Sequence, residues 1–163
     1  MTNMNKLDKT IFEMKKMLLK NENFKKLIYY NTPDSLSQSV PTLAQVTDLI
    51  KTTPAIYMEE DENQFELNTF GVIYVPIIDF SAQLTDITFV VDVFTRKELI
   101  ELDNNQLRLH QLLTEIYETL DNKRVSLAGR IQFSNASYVN MGNRYIGFQI
   151  EMSIIDEAAE NDF

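Results

Sequence analysis

The residues able to cut, transfer or bind are few in this chain, and the acids come first. Asp79 and Asp92 each fall inside an apolar, β-branched stretch, 70–80 and 86–94. Carboxylates carried on neighbouring strands are how a metal-dependent nuclease assembles its ion site. That chemistry needs further converging carboxylates, with a lysine close by in the strand pattern. Lys97 lies five residues after Asp92, past the expected strand end, and neither acid begins an Asp-x-Lys step. Acidic side chains on the solvent face of a strand explain both, and a metal-dependent nuclease using Asp79 and Asp92 stands as the alternative of a different class.

His110 is the single histidine, and its place beside an apolar helical stripe predicts a surface or boundary position rather than a catalytic one. Gly129, Gly142 and Gly147 are dispersed, forming neither a phosphate loop nor a dinucleotide fingerprint. They read as strand or turn positions where backbone approaches backbone. Tyr29 and Tyr30 close a Leu/Ile-containing helix and read as core rather than as base-stacking platforms. There is no cysteine, which excludes a disulfide framework and a thiolate metal site. No catalytic, cofactor or metal motif emerges, and the expectation is a non-enzymatic protein without a cofactor.

The elements that would position any site follow from hydrophobic period. In 144–155 the side chains of Ile146, Phe148, Ile150, Met152 and Ile154 fall on one face and Tyr145, Gly147, Gln149, Glu151 and Ser153 on the other. That period-two alternation predicts a long strand with one buried face and a firmly set register. Leu109, Leu112, Leu113, Ile116, Tyr117 and Leu120 give a wide apolar helical stripe, with Asp103, Asn104 or Asn105 as its cap and Asp121-Asn122 as its stop. An amphipathic helix is expected over 5–19 and a shorter one through Phe24, Leu27 and Ile28, capped from 21–23. Thr42 is placed to cap one helix through Leu43, Val46, Leu49 and Ile50.

Strands are expected at 56–58 (a short edge), 70–80 (an edge, or broken at Pro76), 86–94 and 128–133. Residues 134–143 read as a loop and 59–66 as an acidic surface loop of open role. The order of elements predicts an α+β architecture, a mostly antiparallel sheet of about four to five strands packed by amphipathic helices on one face. One domain spans 1–163, with 1–32 as an N-terminal helical segment and 156–163 as a frayed acidic tail. The expected core is Leu112, Leu113, Ile116, Leu120, Phe89, Val91, Ile131, Phe133, Phe148, Ile150 and Met152.

Charge is uneven. Residues 1–30 hold seven Lys against three acids, a net of +4, so the rest of the chain carries −13 of the total −9. Such asymmetry can mean a basic arm for nucleic acid or membrane, but without Arg the lysine-rich start reads as a solvated amphipathic helix, with docking on an acidic neighbouring subunit as a third possibility. A body at −13 repels phosphate backbones. No apolar run approaches the roughly 18 residues of a membrane span, and the N-terminus lacks an apolar signal core. A reducing, soluble compartment is expected, with no membrane partner.

Four blocks carry a resemblance. N-E-N-F-K-K-L-I-Y-Y-N-T-P-D-S-L-S (21–37) resembles the N-terminal segment of neck and tail proteins from long-tailed bacteriophages of Firmicutes hosts. The helix N-Q-L-R-L-H-Q-L-L-T-E-I-Y-E-T-L (105–120), V-S-L-A-G-R-I-Q-F (125–133) and Y-I-G-F-Q-I-E-M-S-I-I-D (145–156) follow in the same order, over roughly three-quarters of the chain. The resemblance implies a virion structural protein of the head–tail junction, assembled in the host cytoplasm, and most specifically a tail terminator. In that family a small α+β subunit forms a six-fold ring that caps the tail tube and meets the neck above. Its implied partners are copies of itself, the tail tube protein and the neck or connector proteins, with DNA passing through the ring without specific binding. A head-completion or stopper ring is the alternative within that class. Lys15, Lys16, Lys25, Lys26, Tyr145, Gln149 and Glu151 are the candidate subunit or partner contacts, drawn from the basic helices and the far face of the final strand.

Overall fold

The computed structural model describes residues 3–52, 67–76, 87–125 and 129–155. Helix α1 (Asn3–Leu18) leads through a tight turn into α2 (Glu22–Tyr29). Asn21 makes that corner: its side-chain oxygen accepts the Phe24 N–H at 2.9 Å, the N-cap expected of an asparagine at this position. The segment after Thr42 departs from the single helix expected there. Only α3 (Leu43–Val46) is α-helical, residues 47–49 tighten into a 3-10 turn, and Ile50 already belongs to strand β1 (Ile50–Lys51). β2 (Thr69–Tyr74) stops before Pro76, and β3 (Phe89–Arg96) begins three residues later than the sequence suggested.

Helix α4 (Arg108–Leu120) carries the widest apolar stripe, but Leu107 occupies its N-cap and makes no side-chain cap bond. The expected caps serve the preceding loop instead: Asn104 Oδ1 accepts the Gln106 N–H and Asn105 takes a positive φ of 59°. Asn122, φ 56°, ends the helix as predicted. β4 (Arg124–Val125), β5 (Gly129–Met141) and β6 (Tyr145–Ile155) complete one six-stranded sheet in the order β1-β2-β3-β6-β5-β4. Every pairing is antiparallel except β1 with β2. The architecture is α+β as expected, with six strands among the described residues rather than four to five.

The main core lies between the helices and one sheet face. Leu112, Ile116 and Leu120 of α4 meet Phe89, Val91, Phe148, Ile150 and Met152, with Leu7, Met14, Phe24 and Leu27 closing the layer from α1 and α2. The opposite face holds a smaller cluster of Phe70, Val72, Phe94 and Tyr145, so the alternation of β6 separates two buried environments rather than core from water. Gly147 pairs with Phe94 inside this second cluster, and a Cβ there would meet the Val93 carbonyl and come within 2.6 Å of the Phe94 ring. Gly147→Ala is therefore expected to cost about 3 kcal/mol through overpacking, read as a lower urea midpoint at unchanged slope.

Two expectations for the 70–143 region are corrected. β2 is not an edge, since β1 flanks it at Gly71 and Val72. Residues 134–141 are not a loop but the outer half of β5, joined to β6 through the Gly142-Asn143 turn. A bulge between Phe133 and Asn135 shifts the register, and beyond it the strand is largely exposed on both faces. The strand proposed at 56–58, the acidic loop 59–66 and the tail 156–163 lie outside the described residues, as does Asp79.

Candidate functional site

Asp92 sits in the middle of β3 on the face opposite the helices, and it is buried, not solvated as the sequence suggested. Tyr74 Oη donates to its Oδ2 at 3.0 Å, Gln149 Nε2 donates to Tyr74 Oη at 3.2 Å, and Oδ1 has no partner. Burial holds the carboxyl above the ordinary carboxylate range, and burial together with the Asp92 charge pushes Tyr74 up to about 12. Asp92 thus meets a phenol rather than a second carboxylate. Among the described residues no three His, Asp or Glu side chains gather where an ion could be held.

A raised folded-state pKa means that the folded chain binds the proton more readily than the unfolded chain, so the Asp92 contribution to stability falls as pH rises through that window. Asp92→Asn is expected to be more stable than the wild type near neutral pH, with the gap closing on acidification as wild-type Asp92 takes its proton. Paired thermal melts from about pH 7.5 down to about pH 4 read this directly.

The lysines divide. Lys15 Nζ donates to the Ile50 carbonyl at 2.6 Å and its pKa is lowered by burial, so it secures β1 to α1. Lys26 Nζ donates to the Leu36 carbonyl at 3.1 Å, while Lys25 is half-buried and Lys16 is exposed. Tyr145 is fully buried, donates to the Leu67 carbonyl at 2.6 Å and has no surface to offer a partner. Gln149 and Glu151 are half-buried, Gln149 engaged with Tyr74. His110 is exposed as expected; it hydrogen-bonds Tyr138 Oη and tilts against Phe148 at 5.9 Å.

Sequence reasoning assigns no role to Arg108, the largest fully buried side chain among the described residues. Its Nη1 donates to the Leu27 and Tyr30 carbonyls at 2.6 and 2.8 Å, Nη2 to Thr32 at 2.8 Å and Nε to Leu99 at 2.9 Å. The guanidinium caps the C-terminal end of α2 and pins the turn after β3 to the start of α4. Burial pushes it down to about 10, so it stays charged at neutral pH. A signal existed: Arg108 and Glu115 both lie on the α4 flank shared with Leu112, where a charged residue must be satisfied internally. Glu115 is so satisfied, accepting from Asn21 at 2.8 Å and Asn23 at 3.1 Å.

The surface most open to a partner is the outer margin of the hairpin. β5 pairs with β4 only at Gly129 and Arg130, while its pairing with β6 runs on to Met141. Beyond Ile131, whose backbone still bonds to 122 and 123, and the Phe133 N–H, which reaches Asp121 at 3.3 Å, no outer strand accompanies it among the described residues. Residues 131–143 carry no charge. Open edges are ordinarily guarded by lysine, proline or shortness. Here only the bulge does so.

No curated protein and no solved structure matches the chain. A family model does: that of YomW matches residues 21–154, a span that contains the Asn21 corner, Arg108 and all of the hairpin but its last residue. The name is of the kind given to proteins of the Bacillus phage SPBc2, which marks the chain as phage-associated. The chain belongs to the YomW family.

Proposed function

We propose that this chain is a non-enzymatic structural subunit of the phage head–tail junction, a tail terminator whose copies close into a six-fold ring. The ring caps the tail tube and joins it to the neck, and the protein resides in the virion. The observation that carries the reading is the uncharged outer edge of β5, a long strand edge that, among the described residues, only a bulge guards. The other end of the sheet differs from it. β1 is two residues long, and the Lys15 side chain occupies the Ile50 carbonyl. Unlike edges favour a contact between different surfaces of successive copies, and such heterologous contacts close into rings. Membership of a phage-associated family and the charge of −13 outside residues 1–30 agree with a ring that DNA traverses without sticking.

The test is the mass of the purified protein in solution with negative-stain images of the same sample, then with purified tails. Closed rings of about six copies, alone or seated at one tail end, are the expected result. A chain that stays monomeric and leaves tail ends bare overturns the reading.

A further inference from the structure

The margin that carries the open edge also carries a groove. Between α4 and the outer half of β5 run two depressions of about 480 and 320 Å³. Leu113, Tyr117, Phe133 and Ala136 line the first, Leu107 and Tyr138 the second. The His110–Tyr138 hydrogen bond, in the wall of the second, ties the hairpin to the helix. The walls hold apolar rings open to water, Tyr117 being 50% and Tyr138 56% exposed, beside the polar Thr114, Ser134 and Asn135 of the first. Glu118 lines the larger depression, and exposed Glu101 bridges backbone to backbone with Leu107, which lines the smaller. Of the two acids on α4, Glu115 is turned inward to Asn21 and Asn23, so the outward charge of this flank is that of Glu118, with exposed Glu101 and Asp103 before the helix.

A matching surface lies elsewhere on the same chain. The outward line of α1 runs Lys9, Phe12, Lys16, all exposed, with Phe12 at 59% the most exposed large apolar side chain described. Positions three and four apart stand one above another on a helix, so the phenyl ring has an ammonium group on either side along about 10 Å of axis. With exposed Asp8 beside Lys9, the ridge keeps a net positive charge around its aromatic knob, which complements a groove with the Glu118 carboxylate in its wall, and helix-in-groove docking uses anchors of this spacing.

On the ring reading proposed above, we infer that the α4–β5 groove of each subunit receives helix α1 of the next copy, with Phe12 as the anchor. Groove and ridge are different surfaces, so the contact is heterologous and propagates from subunit to subunit. The basic excess of residues 1–30 then serves to meet the acidic flank of α4 on the neighbour.

Two surface substitutions test this without touching the core: Phe12→Glu on the ridge and Ala136→Arg in the groove, each checked for a wild-type thermal melt. Each alone is expected to abolish ring formation, on phage tails if the free chain stays monomeric, and to weaken self-association at least tenfold. Mixed in equal amounts they should form a one-to-one heterodimer and nothing larger, because Phe12→Glu keeps an intact groove and Ala136→Arg an intact ridge. Wild-type rings with both variants also closing rings would overturn the groove assignment and leave the ring reading standing. Rings lost in both variants without heterodimer formation on mixing would also overturn it. A wild type that forms no ring in either setting would overturn both.

Discussion

Arg108→Met is expected to lower the stability of the subunit by about 4 kcal/mol and its melting temperature by about 10 °C. Methionine keeps much of the aliphatic stem, so the loss reports the guanidinium rather than a cavity. Four carbonyls, those of Leu27, Tyr30, Thr32 and Leu99, lose a charge-assisted donor at once. Each such bond is worth about 1.5–3 kcal/mol, and an orphaned buried acceptor costs about 1–3 kcal/mol. The sum is reduced because the variant no longer buries a cation, whose desolvation the native fold offsets with those four bonds. Arg108→Lys should recover less than half: one ammonium cannot span acceptors presented by the end of α2, the following turn and the loop at Leu99. Urea denaturation followed by circular dichroism decides it, and a loss below about 1 kcal/mol would show that water replaces the guanidinium. The variant also bears on assembly. Arg108 fixes the first turn of α4, where Leu107 and His110 form one end of the groove against β5.

How far the sequence disclosed this arrangement depends on which signal each residue could send. Core faces were legible because burial on one side imposes a period. Leu112, Ile116, Leu120, Phe89, Val91, Ile131, Phe148, Ile150 and Met152 are all buried, and only Leu113 and Phe133 stop at half-buried, as their place along the groove requires. The Asn21 cap and the Asn122 stop were legible for a local reason, since each is a backbone geometry that asparagine satisfies. The outer half of β5 was not, because it is mostly exposed, with only Val139 and Met141 half-buried near its end, and Ser, Asn and Gly then read as loop. Asp92 misled for the opposite reason. Alternation says which side chains share a face but not whether the second face is covered, and the cluster of Phe70, Val72, Phe94 and Tyr145 made a polar-looking side an interior one. The candidate contacts fared likewise: Lys15, Lys26 and Tyr145 were chosen by charge and face, whereas the fold spends their polar atoms on the Ile50, Leu36 and Leu67 carbonyls.

Ile150→Asp is expected to leave no folded subunit at neutral pH. Ile150 is fully buried on β6, between Val91 of β3 and Ala136 of β5, and belongs to the cluster beneath α4. Its removal forfeits about 2–3 kcal/mol of apolar burial. A carboxylate placed there has no donor among the apolar side chains of that layer, which adds several kcal/mol more, either as desolvation or as the work of keeping the group protonated. Together these approach the whole stability of an ordinary domain, about 5–15 kcal/mol. The strand cannot escape by slipping one residue, because the slip would drive Gln149 and Glu151 into the helix-covered core and press Gly147's neighbours against Phe94. Ser137→Asp is the control, exposed on β5 and opposite Gln149, and should shift stability by less than about 0.5 kcal/mol. Soluble yield, far-ultraviolet circular dichroism and a thermal melt of the two variants side by side decide the matter. A cooperative melt for Ile150→Asp within a few degrees of Ser137→Asp would mean that β6 presents its other face to the helices, and the groove between α4 and β5 would lose its floor with it.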